Sequence, residues 1–195
     1  MLLETINNFQ IVLASQSSRR QELLSNMGLQ FTTHQSNVDE TVPKDVPLEN
    51  VAQYLARRKA EDVAQHYPQN AVIIGGDTTV LLEDRLLEKP QNRDEALSAL
   101  KQLSGKTHRV ISAVSMVHHS KTRSCSDTTR VSFNPLREEE INFYIDKYKP
   151  FDKAGSYGIQ EWIGCIGIAR IEGSFYTVMG LPTHLLWDMF KQIIL

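Results

Sequence analysis

A chain of 195 residues with 21 Lys+Arg against 23 Asp+Glu, net charge −2, lacks the basic excess of a general nucleic-acid binder, though one focused basic pocket is allowed. Its 41% hydrophobic and 23% charged residues are the balance of a soluble globular protein with a buried core, expected as a single domain over residues 1–195. No segment offers the roughly 18 apolar residues of a membrane helix, and residues 1–14 lack the basic start and long apolar stretch of a secretory signal, so a cytoplasmic protein without a membrane partner is expected.

The chain alternates strands and helices without repeats or low-complexity segments. Ile11 to Leu13 reads as a short apolar strand that gives way to Ala14-Ser15-Gln16-Ser17-Ser18 and then to Arg19-Arg20 at a helix start. Ser18 is the expected N-cap, with Gln21 completing a capping box and Gly28 as the stop. Two arginines in a first turn meet the positive end of the helix dipole. Beside serine hydroxyls and unpaired backbone N–H groups they suggest a compensating anion, most simply phosphate. A solvated arginine pair on a surface helix would read the same way. Residues 29–35 read as a strand, and residues 38–47, which include Asp39-Glu40, as a loop. Over residues 48–66 the apolar positions Leu48, Val51, Ala52, Leu55, Ala56, Val63 and Ala64 follow helical spacing. Residues 71–74 are a short apolar run expected as a buried strand, broken by Gly75-Gly76. A hairpin around Glu83-Asp84 follows. Asn92 with Glu95 caps a helix that Gly105 ends. Two longer strands are expected over 108–117 and 124–133, then a helix over 137–147. Residues 165–171 and 174–178 are expected to pair across Glu172-Gly173, and Thr183 opens a last helix. The pattern is α/β or α+β on a mixed sheet.

Several charged residues fall where structure alone would not place them. Lys59 lies on the apolar stripe of its helix, where an unpaired ammonium costs several kcal/mol, so it either snorkels out or meets an anion. Asp77 ends the 71–76 run, at the kind of strand end where open α/β sheets carry ligand crevices. An acid there can hold a divalent cation or activate water, or it can cap a turn. Lys89 is pinned before Pro90, a rigid place to hold phosphate. Residues 152–160 carry charges, two glycines and Gln160, an amide that both donates and accepts and so is equipped to read a base edge. Each alone is more often a solvated loop; their joint presence points to a site.

Other chemistries find no support. There is no GxxxxGKS/T loop, GxGxxG fingerprint, GxSxG elbow or HExxH pair. Cys125 and Cys165 form no CxxC or His-Cys metal spacing and are expected as reduced thiols. His118-His119 are expected in an exposed turn, and Trp162 and Trp187 as core or interface anchors.

Seven ordered motifs then carry a resemblance. They are Leu13-Ala14-Ser15-x-Ser17-x-Arg19-Arg20-x-Glu22-Leu23-Leu24, Ala56-x-x-Lys59-Ala60, Gly76-Asp77-Thr78 and Glu88-Lys89-Pro90, followed by Leu103-Ser104-Gly105-Lys106-Thr107-His108, Asp152-Lys153-Ala154-Gly155-x-Tyr157-x-Ile159-Gln160 and Gly180-Leu181-Pro182. In these the chain resembles the Maf family of nucleoside triphosphate pyrophosphatases, in the arrangement of its dTTP/UTP-directed branch. Two departures stand out: Ser18 replaces the family's usual proline, and Gly76 a common alanine.

The resemblance implies an ITPase-like fold, a mixed, strongly twisted sheet flanked by helices with a deep central cleft. It implies hydrolysis of the α–β phosphate bond of a nucleoside triphosphate with a divalent cation, Mg²⁺ or Mn²⁺. Matched residue by residue, Ser15, Arg20, Lys59 and Lys89 form the triphosphate cradle, and Asp77 is the catalytic acid acting as base on water. Glu40 joins Asp77 at the metal, and Arg19, Thr78 and Gln160 occupy the positions that mark the pyrimidine branch. A homodimer is also implied. The competing role is a nucleotide-binding regulator of cell division or septum formation with little turnover, and the set of base and cradle speaks against it.

Overall fold

A computed structural model of the protein describes residues 2–194. The elements are α1 (Leu2–Ile6), β1 (Ile11–Leu13), α2 (Ser18–Asn26), β2 (Thr32–Thr33), α3 (Val51–Ala64), β3 (Val72–Leu82), β4 (Arg85–Leu86) and α4 (Arg93–Leu103). They continue as β5 (Thr107–His118), β6 (Lys121–Phe133), α5 (Glu138–Tyr148), α6 (Trp162–Gly167), β7 (Ile168–Glu172), α7 (Phe175–Met179) and α8 (Thr183–Ile194). Hydrogen-bonded strands follow the order β2-β1-β3-β5-β6-β7, with β4 on β3. β1 runs parallel to β2 and β3, while β3–β4 and β6–β7 are antiparallel, so the sheet is mixed and helix-flanked as expected. The chain falls into two compact units, one of residues up to 78, 112–127 and from 180 on, the other of residues 79–111 and 128–179.

In the first unit β1 is buried along its whole length and pairs with Ile73 and Ile74 of β3 at Val12 and Leu13. Its core gathers Val12, Ala14, Ala60, Val63, Ala71, Ile73 and Val117. Gly75 allows the approach of α3 to β3, because a Cβ there would sit 2.2 Å from the Ala56 carbonyl oxygen and 2.8 Å from the Ala60 nitrogen. That contact corrects one expectation. Gly75-Gly76 do not break the strand; β3 runs unbroken through them, and their bareness serves packing rather than a turn. The N-cap of α2 is Ser17, not Ser18, and no side chain caps it; the Ser17 N–H goes instead to Ser15 Oγ at 3.1 Å. Gly28 (φ 77°) does end the helix, its N–H on Ser25 O and that of Leu29 on Leu24 O, a Schellman closure. The strand expected over 29–35 is only the two residues of β2.

In the second unit Leu81 pairs Leu86 across the expected hairpin, whose turn sets Glu83 at φ 55°. Asn92 accepts the Glu95 N–H at the start of α4, and Glu140 Oε2 accepts the Arg137 backbone N–H at 2.7 Å at the start of α5. The expected pairing of 165–171 with 174–178 is wrong. Cys165 lies in α6, residues 175–179 form α7, and β7 pairs with β6, Arg130 facing Glu172. Phe175-Tyr176-Thr177-Val178 favours extended structure locally, but Gly173 (φ 128°) turns the chain while Thr129 Oγ1 accepts the Ser174 N–H at 2.9 Å. Cys125 is half-buried and Cys165 exposed, both free.

Candidate active site

Helix α3 explains the placement of Lys59. Its stripe buries Val51, Ala52, Leu55, Ala56, Ala60 and Val63, and Lys59 is buried among them. The ammonium does not snorkel. Its Nζ lies 2.7 Å from Asp77 Oδ1 and 2.8 Å from Glu40 Oε1, and the side chains of Lys59 and Asp77 are each only 11% exposed. Asp77 sits mid-strand on β3, not on a turn, so its carboxylate does not cap local backbone.

Arg20, in the first turn of α2, is held by three neutral oxygens. Its Nε donates to Gly180 O (3.0 Å), Nη1 to Ser15 Oγ (3.3 Å) and Nη2 to Thr78 Oγ1 (3.3 Å). Burial lowers the pKa of this guanidinium from its ordinary value; Asp77 and Glu40 oppose the shift and Arg19 adds to it. Thr78 Oγ1 also donates to Gly180 O (3.2 Å) and lies 2.8 Å from Ser112 Oγ. Ser15, Arg19, Arg20, Glu40, Lys59, Asp77 and Thr78 therefore gather in the first unit. The group holds three cations and two carboxylates, and Arg20 donates to Gly180 O, Ser15 Oγ and Thr78 Oγ1 rather than to a carboxylate of the described residues, an arrangement suited to an incoming anion.

Lys89 and Gln160 lie in the second unit, both exposed. Their segments meet: the Gly155 N–H points at Leu87 O (3.1 Å) and Glu88 O (3.3 Å). Gly155 has φ 69°, and a Cβ there would press within 3.1 Å of Val80. The loop from Asp152 to Gln160 is thus tied to the strand end that carries Lys89.

A model of the Maf-like protein family matches residues 10–193. The chain belongs to this family. A Porphyromonas gingivalis protein named dTTP/UTP pyrophosphatase is 45% identical over 194 residues, 98% of each chain. Relatives of the same name from Flavobacterium psychrophilum, 44% identical over 94% of each chain, and Bacteroides thetaiotaomicron, 40% identical over 98% of this chain and 100% of that one, are similar too. Among solved structures a Mycobacterium abscessus nucleoside-triphosphatase (dITP/XTP pyrophosphatase) aligns at TM-score 0.39 and 14% identity over 66% of this chain and 76% of that one.

Two contributors to this Maf-like site carry no charge: Gly180, which the sequence offered only as part of a motif without a role, and Ser112, which it did not single out. The Gly180 carbonyl, presented at φ 122°, anchors both Arg20 and Thr78, and Ser112 backs Thr78. A lone serine between Ile111 and Ala113 in a buried apolar strand was the available signal.

Proposed function

We propose that this protein hydrolyses the α–β phosphate bond of dTTP and UTP, releasing the monophosphate and pyrophosphate, and so clears the nucleotide pool of these and modified pyrimidine nucleotides. The observation that carries the proposal is the buried Lys59–Asp77 pair joined by Glu40 and flanked by Arg20. Near-full-length relatives bearing that activity in their names support it.

Ser15, Arg20, Lys59 and Lys89 bind the triphosphate, and the positive charge of the arginine and the two lysines stabilises the charge that builds on the leaving pyrophosphate. Lys59 holds Asp77 through Oδ1. Asp77 orients the attacking water and takes its proton as the bridging P–O bond breaks.

Asp77 and Glu40 bring two hard oxygen donors to within 2.8 Å of one point, the Lys59 ammonium. Among the described residues no group of three or more His, Cys, Asp or Glu converges. One or two carboxylates completed by substrate phosphates and water suit Mg²⁺ or Mn²⁺, which would neutralise phosphate charge when bound. Arg19, Thr78 and Gln160 read the base: uracil and thymine offer two carbonyls flanking an imide N–H, which an arginine and a glutamine amide satisfy. No described helix is long and apolar enough to cross a membrane, and the family resemblance supports a cytoplasmic homodimer.

A nucleotide panel tests the reading. With Mg²⁺, dTTP and UTP should be hydrolysed well ahead of CTP and 7-methyl-GTP, because cytosine leaves paired groups facing like with like. Preference for CTP or 7-methyl-GTP overturns the pyrimidine assignment.

A further inference from the structure

The mechanism above leaves one buried ionic cluster of the second unit without a task. Lys153 is buried, yet it lies in the loop just before Gln160. Its Nζ is 3.1 Å from Glu161 Oε1 and 2.8 Å from Asp152 Oδ1, and the Glu161 side chain is 18% exposed. The ion pair therefore joins the two ends of the 153–161 loop. The other Glu161 oxygen accepts from the hydroxyl of Tyr144, a fully buried residue of α5. The same hydroxyl accepts the Gly158 N–H at 3.0 Å. Burial first, and the bond to Glu161 second, push the Tyr144 phenol well above its ordinary pKa, so it remains a donor.

The backbone either side of Gln160 leaves no slack. A Cβ at Gly158 would fall 2.8 Å from Glu161 Cδ, and one at Gly164 would fall 1.9 Å from the Ile159 carbonyl oxygen. Tyr157 adds an anchor, its hydroxyl 2.7 Å from His108 Nε2. Gln160 itself is exposed, so nothing that packs on its own side chain accounts for this network.

Building on the reading of Gln160 as the base-contacting residue, we infer that Tyr144, Glu161 and Lys153 are positioning residues that fix the Gln160 amide and thereby set the pyrimidine preference. A buried tyrosine, glutamate and lysine that satisfy one another restrict the residue beside them to one backbone placement. A glutamine must be so held if its donor and acceptor are to meet a carbonyl and an imide together. A loosened loop would let the amide reorient and accept from the cytosine amine, eroding discrimination at its source.

The test measures kcat/KM for UTP and for CTP with Mg²⁺ in the wild type, Gln160→Ala, Tyr144→Phe and the double variant. Tyr144→Phe keeps the ring and removes only the hydroxyl. It should lower the UTP-to-CTP ratio by about tenfold, through KM for UTP more than through kcat. Added to Gln160→Ala, it should change the ratio no further, because the effect passes through Gln160. Glu161→Gln, which keeps an acceptor for Tyr144 but loses the charge facing Lys153, should move the ratio the same way by a smaller factor and stands in should Tyr144→Phe not fold. If both rates fall in parallel, or the ratio holds in Tyr144→Phe while Gln160→Ala shifts it, the network is structural and the inference fails. If Gln160→Ala leaves the ratio unchanged, the reading of Gln160 fails and takes the inference with it.

Discussion

The residues gathered in the first unit and the loop that carries Gln160 in the second hold their functional groups by opposite means. Around Asp77, charge touches charge: Lys59, Asp77 and Glu40 meet within 2.8 Å, and each of these side chains is itself assigned to the reaction. Around Gln160 the ionic contact belongs to its neighbour Glu161, which meets Lys153 and accepts from the Tyr144 hydroxyl, and the functional amide stands in solvent. Chemistry needs groups whose charges act directly on the phosphates, whereas base reading needs an amide at a fixed place and angle. The two regions should therefore respond to substitution in different currencies, rate and affinity in the first, selectivity in the second.

The largest effect should come from Asp77→Asn, which keeps shape and removes the base. Turnover should fall by about 10²-fold or more with nucleotide binding largely retained, read by steady-state kinetics beside a binding titration. Near-normal turnover would remove Asp77 from the role of base. Chelation by EDTA should likewise stop the reaction, and unchanged rates in chelator would sink the divalent-ion assignment.

Next come the cradle lysines. Lys59→Ala should raise KM for UTP and lower turnover by about tenfold each, on the scale of a lost charge-assisted contact. Lys89→Ala should weaken UTP binding without moving the melting temperature, because Lys89 is exposed. A Lys59→Ala protein with intact activity and only a shifted melting temperature would make that lysine structural.

Lys59 was legible in sequence because an ammonium on an apolar stripe has to be explained, and Asp77 because of where it ends a buried run. Its true setting was misread: glycines adjoining a helix can mark close packing instead of a break, and only the tertiary contact to Ala56 distinguishes the two. Gln160 could be named from the chemistry of its amide. Its support could not, since Tyr144 reads as one more core position of α5 and only the fold brings it to Glu161. The 165–178 region failed for a similar reason, its strand-favouring residues being overruled by the turn at Gly173 and its bond from Ser174 to Thr129.

A smaller effect concerns the stability of the second unit. His108, buried against Tyr157 and Phe133, has its pKa pushed down to about 4 by desolvation. The unfolded chain then binds the proton more readily than the folded one between about pH 6.5 and 4, so stability is full above 6.5 and falls as pH drops through that window. The loss should reach about 3 kcal/mol at the lower end. Denaturant melts against pH measure it, and His108→Gln should flatten the slope. A slope unchanged by that substitution would contradict the assignment to His108.

The smallest effect concerns Gly76. A Cβ there would lie 3.0 Å from Arg20 Nε and 3.2 Å from its Cδ. Gly76→Ala should thus nudge the guanidinium and change KM for UTP by no more than about threefold, since the flexible arginine can give by tenths of an ångström. A tenfold loss would mean that Arg20 has no room to adjust.

The most direct measurement is the product balance from UTP. Purified protein with Mg²⁺ should release one pyrophosphate for each UMP formed, with no UDP and no free phosphate, and the Asp77→Asn preparation should release almost none. UDP with inorganic phosphate, or tight UTP binding without products, would contradict the account.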